Sequence, residues 1–195
     1  MESLLARASV FTGHSYVVDY TEPEPGVATD KNHCGVEVTD IRPGREHFQL
    51  VNDCGCPHVG LSLEHVPEFS RNKNCEALLL SRGDAASGRP WLLFVELKYC
   101  HPAQTLAKSQ RKVADKTKEA LPQLLRSFDV LSNKGVDKTT HRVYANVHLP
   151  WMSQDVPFDN FVLSHEWSLR FEKRGIHLHR AASLIIVDAS HLIEP

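Results

Sequence analysis

The sequence predicts an α/β fold: one domain, residues 1–195, with a central mixed β-sheet and helices packed on it. Three observations point there. Short apolar runs of strand length recur along the chain, bounded by proline, glycine and asparagine. One long stretch, about 105–131, repeats its apolar residues at helical spacing between two such runs. The chain has 195 residues, of which 42% are hydrophobic and 24% charged, the make-up of one globular domain with a sizeable core.

Taken in order, Tyr16-Val-Val-Asp-Tyr20 and Cys34-Gly-Val-Glu-Val38 read as short strands. The prolines and glycine of Thr21-Glu-Pro-Glu-Pro-Gly26 make the segment between them a loop. His47-Phe-Gln-Leu-Val51 is a further strand, broken by Asn52-Asp-Cys-Gly-Cys-Pro57. Residues 59–66 are expected to form a short helix or turn. Glu76-Ala-Leu-Leu-Leu80 and Trp91-Leu-Leu-Phe-Val95 are apolar strands, joined by the turn-rich Ser81-Arg-Gly-Asp-Ala-Ala-Ser-Gly-Arg-Pro90. The helix at 105–131 carries Leu106, Val113, Ala114, Leu121, Leu124, Leu125 and Phe128 on one face, with a kink or restart expected at Pro122. Asn133-Lys-Gly135 ends it. Arg142–His148 follows as a strand, and 150–157 as a loop. A short helix is expected around Ser164–Phe171, ending at Gly175. Ile176–Arg180 alternates as a strand, and Ser183-Leu-Ile-Ile-Val187 is apolar enough for a buried one.

The chemistry lies in the pair of apolar strands. If they form an antiparallel hairpin centred on Ala86, Leu80 sits opposite Leu92, Leu78 opposite Phe94 and Glu76 opposite Glu96. Opposed Cβ atoms lie roughly 4.5–5.5 Å apart. Two carboxylates so close repel unless something positive sits between them, and a divalent metal is the usual answer. Glu96 and Lys98, two residues apart, project from the same strand face, so Lys98 is placed to help.

These residues resemble the core of the PD-(D/E)xK nuclease superfamily: an acid, a loop, then Glu-x-Lys at the end of a hydrophobic strand. Asn74-Cys-Glu-Ala-Leu-Leu-Leu80 followed by Leu93-Phe-Val-Glu-Leu-Lys98 is similar to small bacterial members, which show Cys-Asp, an aliphatic strand, a turn and Val-Glu-Leu-Lys. Gln123-Leu124 resembles the Gln-Leu pair of a later helix. The resemblance covers about residues 59–130. Glu76 stands where aspartate is commoner, and the Pro-Asp dipeptide of the superfamily's name is absent. The resemblance implies a restriction-endonuclease-like core over about residues 59–190, preceded by a β-rich extension at 1–58. It implies a metal-dependent nuclease that hydrolyses phosphodiester bonds, of DNA before RNA, in a setting such as bacterial defence or repair. Mg²⁺, with Mn²⁺ as a substitute, would be held by Glu76, Glu96 and the Leu97 carbonyl. Lys98 would orient water or stabilise charge on the phosphate, and Gln123 would position water. Glu64 is a further candidate acid. The alternative reading is an inactive nuclease-fold scaffold docked to a protein partner subunit, since a fold does not fix a function.

Composition bounds these readings. The net charge of −2 is not the basic excess of a dedicated nucleic-acid binder. Positive charge is local: Lys108, Arg111, Lys112, Lys116 and Lys118, with Arg126 further on. The cluster either tracks a phosphate backbone or forms a solvated helix face, because Asp115 and Glu119 interleave with it. No run approaches about 18 uninterrupted apolar residues, so no transmembrane helix and no membrane partner are expected. The N-terminus lacks the pattern of a signal peptide, and the five cysteines are odd in number and irregularly spaced. A reduced, cytoplasmic setting is the simpler expectation. Cys34, Cys54, Cys56 and His58 form a second constellation with the right atoms for zinc, but Cys-x-Cys spacing is tighter than most zinc pairs use. The competing reading there is a tight turn and packed thiols. No Gly-x-Ser-x-Gly elbow or phosphate-binding glycine loop occurs.

Overall fold

The computed structural model describes residues 2–21, 35–64, 66–70, 73–82, 88–100, 105–149 and 165–195. It is α/β with two mixed sheets. After a first turn of helix α1 (Glu2–Leu5) come β1 (Ser9–Phe11), β2 (Ser15–Asp19), β3 (Val36–Thr39), β4 (Phe48–Val51), β5 (His58–Ser62) and the short α2 (Pro67–Ser70). Then follow β6 (Ala77–Ser81), β7 (Trp91–Leu97), α3 (Leu106–Ser132), β8 (Arg142–His148), α4 (His165–Arg174), β9 (Ile176–His179), β10 (Ser183–Asp188) and β11 (His191–Ile193).

One sheet has six strands in the order β1-β5-β6-β7-β8-β9, and the other five in the order β11-β10-β4-β2-β3. In the first, β5, β6 and β7 form an antiparallel meander, while β8 and β9 run parallel to β7. A parallel neighbour needs a long crossover, and α3 supplies it between β7 and β8. Every residue of β7 is buried, which fits a central strand covered on both faces. Its odd-numbered side chains, Trp91, Leu93, Val95 and Leu97, pack with Phe48, Leu50, Leu184 and Ile186 of the second sheet. Its even-numbered Leu92 and Phe94 pack with Val113, Leu121, Leu124 and Phe128 of α3.

Several expectations change here. Helices cover one face of the central sheet, whereas the other face is covered by a second sheet that joins N-terminal strands to C-terminal ones. Of residues 59–66, expected as helix or turn, the first four belong instead to β5, the first strand of the meander. Gly60 obscured the pattern, and the packing explains its presence: a Cβ there would lie 2.5 Å from Cγ1 of Val38 on the second sheet. β10 is buried on one face only, through Leu184 and Ile186, while Val187 is 47% exposed. Pro122 neither ends nor restarts α3, which runs unbroken for 27 residues. The buried Leu121, Leu124 and Leu125 around it hold the helix through the missing hydrogen bond. Its N-terminus is capped by Thr105, and Asn133 and Gly135 close its end as expected. The loop expected at 150–157 lies outside the described residues. Among the described residues, no helix is long and apolar enough to cross a membrane.

Candidate active site

β6 and β7 pair in the expected register, Leu78 with Phe94 and Leu80 with Leu92, and the ladder runs on to Ala77 and Val95. Glu76 is one residue further, at a bend. Its N–H donates to the Val95 carbonyl (3.1 Å), and its carboxylate Oε2 accepts the Leu97 N–H (2.8 Å). In an antiparallel ladder the N–H and C=O of one residue face the same neighbour, so the Leu97 carbonyl points to the Glu76 side of β7. The Lys98 N–H faces the other way, to the His148 carbonyl of β8 (2.8 Å).

Glu96 shares the parity of Leu92 and Phe94 and therefore projects to the α3 side at the C-terminal end of β7. Its side chain is fully buried. Oε1 is ion-paired with Lys98 Nζ, and the lysine side chain, 18% exposed, gives the pair its route to solvent. Oε2 has no well-formed hydrogen bond among the described residues. A buried carboxylate oxygen so poorly satisfied is costly.

Electrostatics follow from this enclosure. Burial pushes the Glu96 carboxyl up to about 7, against the pull of Lys98. Burial also raises Glu76 well above the usual carboxylate range, and the Glu96 charge adds to it. Desolvation works against the Lys98 ammonium, but the Glu96 and Glu76 charges outweigh it and leave its pKa raised. Among the described residues two acids thus share one ammonium, and in the metal-free protein a proton held on Glu76 balances the second charge.

The carboxylates are held from behind. Along α3, Arg126 donates to the Lys73 carbonyl (3.2 Å), Gln123 Nε2 to the Asn74 carbonyl (3.1 Å), and Ser127 Oγ accepts the Cys75 N–H (2.9 Å). Three successive residues before Glu76 are therefore clamped by one helix. Gln123 acts on the segment that carries Glu76. Glu64 turns instead to the second sheet, where Oε2 accepts the Val36 N–H (2.9 Å).

One acid escaped the sequence reading. Asp19 ends β2, every residue of which is buried, and it is itself only 5% exposed. Tyr99, next to Lys98, donates its hydroxyl to the Asp19 carbonyl (3.4 Å), and the Asp19 charge raises the pKa of both Glu76 and Glu96. Thr21 steadies its carboxylate through its N–H (2.8 Å) and hydroxyl (2.6 Å). The available signal was an aspartate closing an otherwise buried strand. Its nearness to Glu96 is a long-range contact that spacing does not reveal.

The zinc constellation comes apart where it is described. Cys34 lies outside the described residues. His58 turns inward to Ser15 Oγ (2.9 Å), and Cys54 Sγ donates to Asn52 Oδ1 (3.3 Å) and the Ile186 carbonyl (3.5 Å). Gly55, at φ 69°, makes the segment a tight turn.

For a divalent ion, the donors at hand are the carboxylates of Glu76 and Glu96 and the Leu97 carbonyl. All are oxygens, and Oε2 of Glu96, without a well-formed hydrogen bond among the described residues, is one of them, which suits a hard cation that keeps several waters. No group of three or more His, Cys, Asp or Glu side chains is gathered for a metal among the described residues. Comparison with family models, with curated proteins and with solved structures returned no match to this chain.

Proposed function

We propose that the protein is a metal-dependent nuclease of the PD-(D/E)xK type, built on a restriction-endonuclease-like core and acting on phosphodiester bonds of DNA. The observation that carries the reading is the meeting of Glu76, Glu96 and Lys98 at the end of β7, with Glu96 buried and its Oε2 left without a well-formed hydrogen bond among the described residues. A protein that gained nothing from such an arrangement would be expected to replace it with apolar side chains.

In this reading Glu76, Glu96 and the Leu97 carbonyl hold Mg²⁺ or Mn²⁺. When bound, the ion supplies charge neutralisation at a phosphoryl oxygen and a water of lowered pKa. Lys98, kept protonated by its two acidic neighbours, stabilises charge as it develops on the phosphate. The α3 clamp through Gln123, Ser127 and Arg126 fixes the segment before Glu76, so the acid does not have to be ordered during turnover.

The test is cleavage of supercoiled plasmid with Mg²⁺ or Mn²⁺ by the wild type, Glu96→Ala and Lys98→Ala. Metal-dependent nicking by the wild type that both substitutions abolish is the expected result. Absence of cleavage with either ion overturns the reading and leaves the scaffold alternative, for which the net charge of −2 is the favourable observation.

A further inference from the structure

Immediately beyond Lys98 the chain borders a cavity of about 360 Å³, lined by Tyr99, Cys100, Lys112, Asp115 and Lys116. At about 30 Å³ per water it has room for roughly ten of them, or for a hydrated phosphate with part of its sugar. Lys112 and Lys116 are one helical turn apart on α3 and therefore present their ammonium groups on one side of it. Both act electrostatically on the Cys100 thiol in the cavity wall, as does Arg180. Asp115 is the one acid among the described lining residues, against two lysines. Lys116 is paired with Glu119 (3.1 Å) in an exposed i,i+3 bridge, which is a weak contact that an incoming anion can replace. Glu119 is also felt by Lys98, which places this stretch of α3 over the end of β7.

The position matters more than the charge. Residues 98 and 100 are separated by at most about 7 Å of chain. That is one to two nucleotide steps, at about 3.4 Å of rise per step along a strand. Tyr99 adds an aromatic wall, a surface on which sugar or base can rest.

We propose that this cavity receives a backbone phosphate of the nucleic-acid strand, adjacent to the phosphate handled by Glu76, Glu96 and Lys98. The inference rests on the nuclease reading and deepens it. It divides the basic residues of α3 into two sets. Lys112 and Lys116 form a subsite, while Lys108 and Lys118, which do not line the cavity, are ordinary solvated charges.

The experiment measures binding of a short fluorescein-labelled DNA strand in EDTA, where no cleavage occurs. The wild type is compared with Lys112→Gln/Lys116→Gln and with Lys108→Gln/Lys118→Gln, which removes equal charge from the same helix. Thermal melting confirms that all three are folded. The cavity pair is expected to weaken binding roughly tenfold or more and to reduce the salt slope by about 0.7, the contribution of one phosphate of a single strand, with the control pair costing about threefold at most. Equal losses in both pairs, no loss in the cavity pair, or no binding by the wild type each overturn the subsite. Plasmid cleavage run in parallel separates the two ideas. Cleavage by the wild type with an unchanged KM in the cavity pair sinks the subsite alone. Lysine-dependent binding without cleavage sinks the nuclease reading and keeps a phosphate site on an inactive fold.

Discussion

Two buried polar regions of this protein are built on opposite terms. In one, Asn146 on β8 donates to the Ala181 carbonyl (3.0 Å) and accepts the Ala181 N–H (2.9 Å). Asn52 does the same for the turn after β4, donating to the carbonyls of Thr12 (3.0 Å) and Cys56 (2.9 Å) and accepting the Cys56 N–H (3.0 Å). In the other, one strand away from Asn146, Glu96 is just as buried yet keeps an oxygen without a well-formed hydrogen bond among the described residues. Satisfied polar groups hold loops to sheets. A buried ion pair with one oxygen poorly satisfied adds little to the resting fold.

The contrast can be broken most directly through chemistry. Lys98→Ala is expected to lower plasmid cleavage by about a hundred- to a thousandfold, because charge on the phosphate loses its stabilising neighbour. Steady-state nicking rates measure this, and a variant of unchanged rate removes the site from catalysis. Next is stability. Asn52→Ala should cost about 3 kcal/mol in urea unfolding, since several backbone groups lose their partner at once. The double substitution Glu96→Leu/Lys98→Met should instead stabilise the metal-free protein by about 2 kcal/mol while remaining inactive. If both variants were equally destabilised, the distinction between the two regions would fail.

The pH profile sharpens the same contrast. Burial lowers His148 to about 4 and also lowers His58. The unfolded chain takes up these protons below about pH 6.5 and the folded protein refuses them, so stability falls as pH drops from about 6.5 to 4. A group shifted as far as His148 accounts for about 3 kcal/mol across that window. The raised carboxyls act in the opposite sense: folded Glu96 holds a proton up to about 7 that the unfolded chain gives up near 4.5, so stability falls as pH rises between those values. The metal-free wild type should therefore show a flattened profile, and Glu96→Leu/Lys98→Met a steeper acid-side loss, with Glu76 still giving a fall in stability on the alkaline side. Urea midpoints from pH 4 to 8 test this, and identical profiles would contradict it. The smallest expected effect is that of Gln123→Ala. Releasing the Asn74 carbonyl should cost about 1 kcal/mol, and cleavage should slow by about tenfold as Glu76 loses its fixed position.

How legible all this was depended on the range of the contacts. The register of β6 and β7 could be read because a local hairpin with period-two alternation leaves few alternatives. The long helix was readable from its apolar stripe, and its passage through Pro122 was not, because buried neighbours decided it. Asp19 could not be connected to Glu96 from spacing, since 77 residues separate them.

By itself, then, the chain determined its local elements: the hairpin, the pairing of its apolar residues, the amphipathic helix and the caps at its ends. Each follows from steric and hydrogen-bonding preferences that act within a few residues. Only tertiary structure decided that β4 and β10 pair across more than a hundred residues into a second sheet, that Gly60 makes room for Val38, and that α3 clamps the segment before Glu76. Those outcomes come from burying apolar faces against one another, an interaction without direction or sequence range, whose partners are chosen by the whole chain at once.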